Sequence, residues 1–226
     1  MDNTRVLLVG CGSISRAWLQ AVQQMPEAEL VGLVDINPAA AARIAEECGL
    51  GSVLCSGDLE AALRAAQPQV VFNCTVPEAH RDVTLAALRH GCHVLGEKPL
   101  ATSMAEAREM VAAARQAGRL FAVMQNRRYD ANLRRLRAFL ASGAIGRLTT
   151  VNCDFYIGAH FGGFRDHMRH VLLLDMAIHT FDQARCLTGA DPLSVYCYEW
   201  NPAGSWYDHG ASAQAIFCMT DGLVYN

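Results

Sequence analysis

The chain has 226 residues, 52% of them apolar and 18% charged, which is room for one large domain or one and a half ordinary ones and excludes a disordered composition. The formal net charge of −3 carries no basic excess, so nucleic acid is not expected as a partner. The nine cysteines contain no C-x-x-C pair and read as reduced thiols of a cytoplasmic protein, while no apolar run reaches membrane-spanning length, so neither a disulfide frame, a zinc site nor a membrane partner is expected.

Met1-Asp2-Asn3-Thr4-Arg5 leads directly into a strand and has no signal-peptide pattern. Val6 to Val9 is a continuous apolar run, as in a parallel strand buried on both faces. Gly10-Cys11-Gly12-Ser13-Ile14-Ser15 follows and opens a helix to about Met25. This is the G-x-G-x-x-G/A dinucleotide fingerprint with Ser15 in the third position. Its first glycine permits the tight turn, its second lets a pyrophosphate approach the backbone, and the helix N-terminus receives the phosphates. Glu29 to Val34 is a second strand, ended by Asp35, 23 residues after Gly12. An acid there accepts hydrogen bonds from the ribose hydroxyls. Because Ile36 and Asn37 follow it, rather than an arginine, NAD is favoured over NADP. Asp35 could instead serve as a helix N-cap ahead of Pro38.

Strand and helix continue to alternate. Helices are expected at Pro38–Cys48, from Asp58 to Ala66, from Thr75-Val76-Pro77 to Gly91, and at Ser103–Ala117. Strands are expected at Val53–Cys55, Val70–Cys74, Cys92–Leu95 and Phe121–Met124. Six strands alternating with helices make a doubly wound parallel sheet, whose ligands bind beyond the carboxyl ends of the strands. Gly10, Asp35, Thr75, Lys98 and Gln125 all fall at such ends. Lys98, in Gly96-Glu97-Lys98-Pro99, is the chain's single lysine among 19 basic residues; the other 18 are arginine. An ammonium is a compact charge whose pKa can move with burial, and arginine cannot replace it in that role.

Alternation stops after Asn126, so residues 1–126 are expected to form a Rossmann domain and residues 127–226 an α+β domain with a largely antiparallel sheet. In the second half, Asp130–Ser142 reads as a helix and Leu148–Ile157 as a strand. Gly158–Asp166 is a loop, about Arg169 to Leu187 an apolar helix, and Leu193–Trp200 and Ala211–Thr220 strands. On the apolar helix, Val171, Leu174, Ile178 and Phe181 make one face and Asp175, His179 and Asp182 another. The second face is either a solvent stripe or a carboxylate set beside an imidazole to tune it. Cys153, Asp154, Tyr156, His160 and Arg165 are candidate pocket residues. The histidines show no ligand spacing with a third partner, so no metal is expected.

Together, Gly10-Cys11-Gly12, Asp35, His80, Glu97-Lys98-Pro99, Arg128-Tyr129 and Asp175-x-x-x-His179 resemble the Gfo/Idh/MocA oxidoreductase family across the whole chain. The resemblance implies hydride transfer between a sugar, cyclitol or related polyol hydroxyl and NAD. It implies Lys98, Asp175 and His179 as catalytic residues, with the lysine and histidine flanking the reacting hydroxyl. It implies cofactor contacts from Gly10, Gly12, Ser13, Ile14, Asp35, Ile36, Cys74, Thr75, Pro77, His80, Glu97, Lys98 and Gln125, and substrate contacts from Arg128, Tyr156 and Arg165. A cis Lys98–Pro99 bond and a homo-oligomer formed through the second domain are further implications. The chain departs from the pattern at Ser15 and at Thr75-Val76-Pro77. Leu223-Val224-Tyr225-Asn226 reads as mid-strand, so the second sheet is expected to be incomplete and the chain shortened. A rival reading is an NAD-binding sensor, or an inactive short form, with no turnover.

Overall fold

In the computed structural model, which describes residues 3–226, the chain divides into two compact units, Met1–Met124 and Gln125–Asn226. Met1 and Asp2 of the leading segment lie outside the described residues.

The first unit is a six-stranded, wholly parallel sheet. Its strands are β1 (Thr4–Val9), β2 (Ala28–Val34), β3 (Leu54–Ser56), β4 (Val70–Asn73), β5 (His93–Gly96) and β6 (Phe121–Val123), in the order β3-β2-β1-β4-β5-β6. The order reverses between β1 and β4, which opens a crevice at their carboxyl ends. Val6 to Val9 are buried on both faces because helices cover both sides. On one side α1 (Ser15–Gln23) and α2 (Pro38–Glu47) pack Trp18, Leu19, Ala41 and Ile44 against Leu8 and Leu33. On the other, α3 (Leu59–Ala66), α4 (Pro77–Arg89) and α5 (Met104–Ala117) pack Leu63, Val83, Ala87 and Ala114 against Leu7, Val71 and Val94. The Lys98–Pro99 bond is cis.

The second unit begins with a 3-10 turn, Asn126–Tyr129, and α6 (Ala131–Ala141), whose N-cap Asp130 accepts from the Asn132 and Leu133 N–H groups. Its sheet has the order β7-β10-β9-β8, built from β7 (Thr150–Val151), β8 (Pro192–Trp200), β9 (Ser212–Met219) and β10 (Val224–Tyr225). β8–β9 and β9–β10 are antiparallel and β7–β10 is parallel. The expected strand over Leu148–Ile157 shrinks to Thr150–Val151. Alternating side chains suit a strand there, but its partner β10 offers only two paired residues, Val224 and Tyr225. Gly163–His167 forms a 3-10 turn within the expected loop. The helix expected from Arg169 is also corrected. Leu172–Met176 is a π turn, and only Ala177–Thr188 (α7) is regular α-helix. Phe181, Phe217 and Tyr225 meet edge to face or tilted beside buried Met219 and Leu223.

Candidate active site

The loop after β1 is shaped by two glycines with different reasons to be there. Gly10 has φ +95°, and a Cβ on it would sit 2.6 Å from the backbone of Cys74. Only glycine lets the β1 and β4 loops close at the switch point. Gly12 faces open space, with nothing within 4 Å of where a Cβ would stand. Ser13 and Ile14 beside it are exposed. Ser15, in place of the third glycine, is fully buried, and its hydroxyl donates to the Gly12 carbonyl at 2.6 Å. The small polar residue thus closes the turn from within.

Asp35 stands at the end of β2. Its carboxylate accepts from the Cys11 N–H at 2.8 Å and the Asn37 N–H at 2.9 Å, which ties the first loop to the second. The cap of α2 is Asn37, accepting from Ala39 N–H, so Asp35 is not the N-cap. Ile36 beside it is 99% exposed. Burial, then the Asp35 charge, pushes the Cys11 thiol up to about 12.

Two helix starts in this unit differ from their neighbours. α2, α3 and α5 carry side-chain caps from Asn37, Asp58 and Ser103, whereas α1 and α4 have none. Those two follow the loops on either side of the switch point. α1 also has no acid in its first turn. Uncapped N–H groups and a positive dipole end suit phosphate. These observations fit a dinucleotide: open space over Gly12, an uncapped α1, and an acid at the end of β2.

The remaining cofactor candidates fall into two groups. Cys74, Pro77 and His80 are buried. His80 is 2% exposed, with Nδ1 at 2.8 Å from the Pro99 carbonyl and Nε2 at 3.1 Å from the Thr75 carbonyl. The Thr75 hydroxyl donates to Asn73 Oδ1 at 2.6 Å. Glu97 accepts from the Trp18 indole N–H at 2.8 Å and from the Lys98 N–H at 3.1 Å. Trp18 had no place among the sequence candidates, because an apolar-periodic tryptophan reads as core. Gln125 opens the second unit, and its Oε1 is buried with no hydrogen-bond partner.

In the second unit the polar face of the Asp175–His179 helix is inside. Asp175 is 1% exposed and His179 6%. Asp175 lies in the π turn, a distortion frequent at functional sites. Arg165 Nε donates to its carboxylate at 2.7 Å and Arg165 Nη2 at 3.3 Å, and the guanidinium lies over Phe164 and Phe161. Arg128 is likewise engaged in a two-pronged pair with Asp182. Tyr156 is exposed, Cys153 is exposed, and His160 pairs with Asp166 at 2.8 Å while stacking on Trp206. Among the described residues, no group of three His, Cys, Asp or Glu side chains is placed to hold a metal ion. No helix of the described residues is long and apolar enough to cross a membrane.

Comparison with known proteins agrees with this architecture. Residues 4–125 match the oxidoreductase family with an NAD-binding Rossmann fold, and residues 133–225 match the GFO/IDH/MocA C-terminal domain. The chain is 34% identical over 190 residues to a 1,5-anhydro-D-fructose reductase of Ensifer adhaerens, covering 82% of this chain and 56% of that protein. It is 30% identical over 229 residues to the D-glucoside 3-dehydrogenase of Escherichia coli, covering 97% and 65%. In fold it is similar to an oxidoreductase from Agrobacterium radiobacter solved with NAD+, L-tartaric acid and magnesium. There the TM-score is 0.87 at 21% identity, over 99% of this chain and 65% of that one. The chain thus spans between 56% and 65% of the length of these curated relatives. With both of its domains matched in order, the chain belongs to the Gfo/Idh/MocA oxidoreductase family.

Proposed function

We propose that this protein reversibly oxidises a secondary hydroxyl of a sugar, cyclitol or related polyol with NAD. The observation that carries the reading is the burial of the Asp175 carboxylate and the His179 imidazole on one face of the same helical segment, where polar groups are costly to bury unless they are used or partnered. Two relatives bear the names of a carbohydrate reductase and a carbohydrate dehydrogenase, which supports the same chemistry.

When bound, NAD accepts the hydride that leaves the carbinol carbon. Gly12, Ser13 and Ile14 would hold its phosphates through backbone N–H groups, with Gly10, whose N–H donates to the Val34 carbonyl, shaping the turn, and Asp35 would take the ribose hydroxyls. The Asp35 carboxylate also makes a second phosphate there unfavourable, and the residues after it, Ile36 and Asn37, offer no guanidinium to compensate. Nearby Arg43 and Arg16 both pair with Glu47. In the second unit His179 removes the hydroxyl proton as general base, and Asp175 favours its charged form. In the first unit Lys98 stabilises alkoxide character as the carbonyl forms. The hydroxyl proton ends on His179 and passes to solvent.

The test is a panel of polyols and sugars with NAD and with NADP, followed by reduced-cofactor absorbance. NAD turnover with at least one polyol is expected. His179→Ala should lower kcat by about 10²–10⁴ and Lys98→Arg by about 10². Tight NAD binding without reduction across the whole panel would instead support the sensor reading.

A further inference from the structure

We infer that Trp18 and His80 are positioning residues that clamp the Glu97-Lys98-Pro99 turn from its two sides and so fix where Lys98 presents its ammonium. The kinetic consequence rests on the reading of Lys98 given above; the clamp itself does not.

On one side, the Trp18 indole N–H reaches Glu97 Oε1 at 2.8 Å across 79 positions of sequence. The ring is buried and meets Phe72 edge to face, with centroids 4.9 Å apart. Glu97 Oε2 in turn accepts the Lys98 N–H, so the indole holds the carboxylate that holds the lysine backbone. A hydrogen bond to a carboxylate is about twice as strong as a neutral one. On the other side, His80 bridges two loops, with Nδ1 at the Pro99 carbonyl and Nε2 at the Thr75 carbonyl. His80 is itself held: its own carbonyl accepts from Asn73 Nδ2 at 3.0 Å, and the same nitrogen donates to Thr84 Oγ1 at 3.2 Å. Asn73, His80 and Thr84 are all buried. In a closed network of this kind, losing one member leaves the others unsatisfied.

An imidazole kept only for packing needs no carbonyls from two separate rim loops. A neutral ring has one N–H. The clamp requires that N–H on Nδ1, donating to the carbonyl of Pro99, the residue next to Lys98. This yields a distinction that simple stability does not make. Asparagine places an amide nitrogen near the position of Nδ1 and keeps the donor to Pro99. Glutamine places its nitrogen near Nε2 and keeps only the contact to Thr75.

Because Lys98 is the chain's single lysine, [15N]lysine labelling of the full chain gives one labelled backbone amide, readable without cofactor or substrate. In Trp18→Phe and His80→Gln, exchange of that amide should rise about tenfold, as expected for loss of one buried hydrogen bond. In His80→Asn, most of the protection lost in His80→Gln should return, although the two variants melt at similar temperatures. With a polyol that turns over, kcat should follow the same order more strongly than KM for NAD. If Lys98 exchange is unchanged in both Trp18→Phe and His80→Gln, the clamp is wrong. It is equally wrong if His80→Asn and His80→Gln are perturbed alike in proportion to their melting temperatures. Should His80→Gln not fold, unchanged exchange in Trp18→Phe overturns the proposal alone. Altered exchange with no turnover on any polyol sinks the dehydrogenase reading and leaves the clamp standing.

Discussion

Gly10 and Gly12 belong to one motif, yet the structure gives them opposite sensitivities. A methyl group at Gly10 meets the Cys74 backbone at 2.6 Å on a residue already at φ +95°. Gly10→Ala should therefore cost more than about 2 kcal/mol of stability, read from a urea unfolding midpoint. A methyl group at Gly12 meets nothing. Gly12→Ala should leave that midpoint nearly unchanged and weaken NAD binding measured by calorimetry, because the methyl occupies the space a pyrophosphate would approach. Cysteine reactivity separates the same way. Burial, Glu97 and Cys11 push the Cys74 thiol far above its usual value, and Cys11 is pushed up to about 12. A raised thiol pKa means less thiolate at a given pH. In the folded protein at pH 8, iodoacetamide should label exposed Cys153 and Cys218 and spare Cys11 and Cys74, as peptide mass mapping would read. The turn at Gly10 was legible because the spacing of the two glycines implies it. Ser15 read as a weakened third glycine; that its hydroxyl caps Gly12 needed the fold.

At the scale of the element, the segment from Val171 to Thr188 shows where periodicity stops informing. The wheel separates an apolar face from a polar one but does not say which face is buried. Here Val171 is buried while Leu174, Ile178 and Phe181 are half-buried, and on the polar face Asp175 and His179 are buried while Asp182 is half-buried. The π turn over Leu172–Met176 has no signature in helical spacing either. Arg165 was a candidate for the substrate; its guanidinium is on Asp175. Removing one partner of a buried pair is strongly destabilising, and the partial exposure of Arg165 moderates it. Arg165→Ala should cost roughly 3 kcal/mol in urea unfolding. Arg165→Lys, which keeps the charge and loses the fork, should cost less.

The whole molecule brings two kinds of surface into play. In the first unit the uncapped starts of α1 and α4 flank the switch point. NAD at about 100 times its dissociation constant should add about 2.7 kcal/mol to stability. Hydrogen exchange should show that protection concentrated in residues 10–15, 35–37 and 74–80. Polyol alone should not reproduce it. In the second unit β8 is an edge strand, and Tyr196 on it is 72% exposed. Tyr196→Lys should change stability by less than about 0.5 kcal/mol in the same unfolding assay, because the side chain packs on little of its own unit.

The sequence by itself determined the six parallel strands, their helices and the position of Asp35 and Lys98 at strand ends. Each of those follows from contacts local in the chain: apolar runs, capping residues and the glycine turn. Tertiary structure alone decided that Trp18 answers Glu97, that His80 spans Thr75 and Pro99, that Arg165 answers Asp175, and that β7 is two residues long. Periodicity specifies how a segment coils and which side chains share a face. It does not specify which distant donor meets which acceptor, because that choice is made by the packing of whole elements against one another.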